Sequence, residues 1–107
     1  MNGYERASNE IVPAMRLVIA RELKVRYNMT ESRIAQILGV AQAAISKYLN
    51  ENYSERIKNT SENVDMVVVN KFIENIAKGD SVALKRCICT SCSIMNEFDC
   101  SFSSAEK

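Results

Sequence analysis

Residues 30–50 read TESRIAQILGVAQAAISKYLN, and the spacing of residue types within this stretch decides the fold. Thr30 stands where a side-chain oxygen caps a helix that runs to Leu38, and Gly39 stands where such a helix ends in a left-handed residue. A second helix is expected from about Ala41 to Asn50. Ile34 and Leu38 form one apolar edge, Val40 and Ile45 the other, and the small Ala35 lies where the two axes cross. Gly39 permits a sharp turn, so the pair is expected to meet at a steep angle.

Outward from this pair, residues 10–27 (EIVPAMRLVIARELKVRY) predict a helix. Pro13 suits its first turn, Met15, Ile19 and Leu23 recur every four residues, and Arg16, Arg21, Lys24 and Arg26 fall mainly outside the buried stripe. Residues 51–60 (ENYSERIKNT) are polar and unpatterned, which predicts a linker or wing. A further helix is expected from near Ser61, where Val64, Val68, Phe72 and Ile76 recur at i+4 beside Val69 and Ile73, until Gly79 stops it. A face that wide is expected to pack on its own core or to bury itself against a second copy. Asp80 or Ser81 then caps a short helix ending before or within a cysteine cluster, and residues 101–107 read as a frayed tail.

A chain of 107 residues, 47 % apolar, can bury one modest core rather than two. It holds no apolar run of the roughly 18–20 residues that a membrane-spanning helix needs, and MNGYERASNE lacks the pattern of a signal peptide, so a cytoplasmic location is expected. The net charge is only +1, but residues 14–58 carry eight Lys/Arg against four Asp/Glu, while residues 59–107 carry five against seven. The basic half has the sign that a phosphate backbone selects.

In a helix pair of this kind the second helix enters the major groove of DNA, so its outward residues become candidates for base contacts. These are Gln42, Ala43, Ser46 and Lys47, with Asn50 at the margin; Arg33 on the first helix joins the set. Gln makes a bidentate contact to adenine, a methyl-sized surface meets the thymine methyl, and Ser and Lys reach base edges or phosphates. An enzyme is disfavoured, because the chain has no histidine, no Gly-rich phosphate loop and no nucleophile beside an evident base.

The stretch resembles the repressor/Cro-type (XRE-like) helix-turn-helix family through Ile34-Ala35, Leu38-Gly39-Val40 and Ala44-Ile45-Ser46-x-Tyr48-Leu49. With Glu10-Ile11-x-Pro13-Ala14-x-Arg16 added, residues 10–50 look like a group of short archaeal regulators that carry a C-terminal cysteine cluster. The resemblance implies transcription regulation and leaves the operator open. Two positions depart from the family pattern. Ala41 replaces the usual Ser or Thr and so removes a cap worth about 1 kcal/mol. Glu31 replaces a frequent Gln; it repels phosphate, although it can accept from the Gln42 amide and orient it.

Cys87, Cys89, Cys92 and Cys100 form the pattern C-x-C-x2-C-x7-C. On a helix Cys87 and Cys89 point about 200° apart, so convergence of all four requires a loop. An iron–sulfur cluster (4Fe-4S), a four-cysteine zinc site and reversible disulfides all remain open. Three close cysteines and a remote one favour the cluster over zinc, and the resemblance points the same way.

The expectation is thus an all-α protein: a helix-turn-helix DNA-binding domain (1–58), a helical dimerisation segment (59–82), and a cysteine-ligated loop with tail (83–107). It would act as a homodimer on a palindromic operator in double-stranded DNA, responding to redox state or oxygen through the cluster. The alternatives are a DNA-binding protein with structural zinc, or an antitoxin-like interaction module using the wide Val/Ile/Phe helix.

Overall fold

A computed structural model describes residues 7–96. After a π-helical turn at Ala7–Ile11, six α-helices follow: α1 (Val12–Tyr27), α2 (Glu31–Leu38), α3 (Gln42–Leu49), α4 (Glu55–Glu62), α5 (Met66–Ala77) and α6 (Ser81–Asn96). The described residues contain no strand.

The stripe Met15, Ile19, Leu23 puts α1 in the core, but Ala14, Leu17, Val18 and Ala20 are buried as well. A helix covered on so many sides lies at the centre of a bundle, and α1 packs against each of the other five helices. It ends at Asn28, whose left-handed conformation (φ 51°) an Asn side chain tolerates.

Residues 51–60, expected as a linker or wing, instead contain most of α4. Ser54 caps it by accepting the Ile57 backbone N–H at 3.3 Å. Its inward face is polar in sequence: Thr60 and Ser61 are buried, and their hydroxyls donate to the carbonyls of Arg56 (2.9 Å) and Lys58 (2.7 Å). Hydroxyls satisfied on their own helix can be buried without an outside partner, so α4 docks on α1 with little apolar periodicity. An ion pair between Arg56 Nε and Glu10 Oε1 (3.3 Å) crosses from α4 to the π-helical turn.

The following helix begins later than Ser61. Asp65 caps α5 by accepting the Val67 N–H at 2.9 Å. The wide apolar face of α5 is spent inside the chain: Val68, Val69, Ile73 and Ile76 are buried, Val64 in the preceding turn is buried beside them, and Phe72 packs on the same core. That width therefore gives no ground for a dimer or partner surface. Of the large apolar residues on α5, Met66 and Val67 are exposed.

The loop expected at the cysteines is replaced by helix. Asp80 caps α6 by accepting from Val82 (3.0 Å) and Ala83 (3.2 Å), and α6 then runs through Cys87, Cys89 and Cys92 to Asn96. One continuous apolar cluster joins Ile11, Met15, Ile34 and Ile45 to Val69, Ile76, Cys87 and Cys92. No helix among the described residues is long and apolar enough to cross a membrane.

Candidate nucleic-acid interface

The α2–α3 turn is built from backbone hydrogen bonds around one left-handed glycine. Gly39 (φ 68°, ψ 34°) donates to the Gln36 carbonyl at 3.3 Å, and Val40 donates to the Ala35 carbonyl at 3.1 Å. This paired closure of a helix end fixes the direction in which the chain leaves α2. At the other end of α2, Thr30 Oγ1 accepts the Arg33 N–H at 3.1 Å.

Across the turn, Ala41 takes the extended backbone of a cap residue (φ −68°, ψ 146°) but supplies no side-chain hydrogen bond. The following helix is anchored by the fully buried Ile45, with Tyr48 and Leu49 packed beside it. Anchoring on that side leaves Gln42, Ala43 and Lys47 exposed together. Ser46 is half-buried, and its hydroxyl accepts from Asn50 Nδ2 at 3.3 Å, so these two residues are engaged with each other.

Arg33 is exposed on α2. Its guanidinium donates to Gln36 Oε1 at 3.0 Å and lies beside Gly79 at the α5–α6 turn, with no hydrogen bond to α3 among the described residues. Nor does a hydrogen bond join Glu31 to Gln42 among them, so Gln42 is not oriented by that carboxylate.

One feature of the α3 terminus has no signal in residue type. Glu51 is left-handed (φ 58°), donating to Tyr48 (3.3 Å) while Asn52 donates to Lys47 (2.8 Å). The helix thus closes as α2 does, but with a carboxylate where glycine is usual. Glu51, Glu55, Tyr53 and Lys58 line a polar depression at this end.

Cys87, Cys89 and Cys92 are all buried on α6. On a continuous helix Cys87 and Cys89 point about 200° apart, and no group of three or more Cys, His, Asp or Glu side chains converges among the described residues. Burial pushes the Cys87 thiol up to about 11, because an apolar surrounding disfavours the thiolate. Cys87, Cys89 and Cys92 do not by themselves make a three-thiolate ligand group. Cys100 lies outside the described residues.

No protein-family model, curated protein or solved structure matches the chain.

Proposed function

We propose that the chain is a sequence-specific DNA-binding transcription regulator that presents α3 to the major groove, as a homodimer on a palindromic operator. The observation that carries this reading is the exposed Gln42, Ala43 and Lys47 surface on a short helix, held by a glycine turn on one side and by buried Ile45 on the other. Gln42 is the base reader, suited to adenine, with Ala43 beside it for a thymine methyl. Lys47 supplies a cation to phosphate or to a base edge, and Arg33, held along α2, serves phosphate rather than bases. A redox response would rest on an iron–sulfur cluster or zinc held by Cys87, Cys89 and Cys92 together with Cys100, which lies outside the described residues.

Two copies are favoured because a single recognition helix reads few base pairs. The test is selection from a random duplex library, followed by binding at fixed salt to the selected and a scrambled duplex. Gln42→Ala is expected to lose about 1–3 kcal/mol on the selected duplex with little change on the scrambled one. Lys47→Ala, if it serves phosphate, weakens both and lowers the salt slope by about one. Failure to enrich any sequence, or equal losses from Gln42→Ala on both duplexes, overturns the reading.

A further inference from the structure

A cavity of about 190 Å³ lies between the first turns of α1, the last residue of α2 and the first half of α6. Its walls are aliphatic: Val12, Leu38, Leu84 and Ile88. Two cations, Arg16 and Lys85, join them, with no carboxylate in the lining among the described residues. Arg16 is half-buried and pairs with no carboxylate among the described residues. A guanidinium partly withdrawn from water against aliphatic walls interacts strongly with an incoming anion, because solvent screens it less. Its planar fork of donors matches a carboxylate bidentately.

We propose that this cavity binds a small carboxylate bearing a short aliphatic tail, its carboxylate on Arg16 and its tail over Leu38, Leu84 and Ile88. The space sets the size, since an apolar cavity of about 150 Å³ admits benzene, and this one suits a ligand of about six to ten non-hydrogen atoms. Leu38 immediately precedes Gly39, so an occupant touches the end of α2 from which the α3 direction is set. The site stands independently of DNA binding; its use as an effector site rests on that reading.

The test titrates the full-length chain, without DNA, with hexanoate and with neutral hexanamide, following backbone amide shifts by NMR. Hexanoate is expected to give saturable shifts at Val12, Leu84 and Ile88 and across the Leu38–Ala41 turn, and to bind at least tenfold tighter than hexanamide. Arg16→Gln removes that tenfold difference. Ser81→Trp, which alters an exposed residue of the rim and fills the opening, abolishes binding in a folded chain and keeps the proposal testable if Arg16→Gln does not fold. Equal binding of acid and amide, no saturable shift up to 50 mM, or unaltered hexanoate binding in either folded variant overturns the proposal.

Discussion

Val40 donates its backbone N–H to the Ala35 carbonyl at 3.1 Å across left-handed Gly39, and Asn52 makes the same contact to Lys47 at 2.8 Å across left-handed Glu51. Two ends of the candidate DNA-binding unit share one geometry, but only the first carries the residue that adopts it without strain. Gly39→Ala is expected to destabilise the chain by about 1 kcal/mol, since a left-handed L-residue is strained and the added methyl meets nothing within 4 Å. Glu51→Gly is expected to stabilise by a similar amount and, on the proposed function, to raise DNA affinity by removing a negative charge beside α3. Thermal melts of both variants check the opposite signs; a shift in the same direction for both would contradict the backbone argument.

Ala41 already has the backbone of a helix cap and lacks only the oxygen. Ala41→Ser is therefore expected to stabilise the chain by about 0.5–1 kcal/mol, through acceptance of an N–H from the first turn of α3. Urea denaturation measures this as a higher midpoint at unchanged slope.

The apolar face of α5 belongs to the core of each chain. Ile76→Ala, at a fully buried position, is expected to cost about 2–5 kcal/mol. Val68→Asp is expected to unfold the chain, because it places an unpaired charge inside that core. Circular dichroism with sedimentation decides the matter: a folded Val68→Asp monomer derived from a wild-type dimer would return this face to an interface role.

The buried Cys87 thiol gives a stability that depends on alkaline pH. Its folded pKa, about 11, lies above the ordinary value of 9.0 because burial disfavours the thiolate. Between these values the unfolded chain releases the proton first. The contribution is therefore complete below about pH 9 and lost as pH rises toward 11. Wild-type melting temperature is expected to fall across that window more steeply than that of Cys87→Ala, a comparison that isolates the contribution of this thiol. In native chain at pH 8 Cys87 is expected to react slowly with a thiol reagent, and rapidly once urea is added.

The sequence by itself determined the elements whose signals are local. Thr30, Gly39 and Gly79 end or begin helices through hydrogen bonds a few residues away, so residue type sufficed to place α2, the turn and the close of α5. Burial of Ile45 and exposure of Gln42 and Lys47 followed from helical period alone. Helix α4 escaped because its buried face is Thr60 and Ser61 rather than a run of large apolar side chains, and a hydroxyl bonded to its own helix reads as polar in a sequence.

Tertiary packing decided the rest. Periodicity shows that Val68, Ile73 and Ile76 form a face, but only the arrangement of α1 and α6 around α5 shows that the same chain covers it. Cysteine spacing allows a loop or a helix; burial of Cys87 and Cys92 in the shared core favours the helix over the described residues. Arg16 and Lys85 are far apart in sequence, and neither has a neighbour that announces a site. They meet across a cavity only because α1, α2 and α6 converge there, and convergence of distant segments is a property of packing that no local pattern of residues encodes.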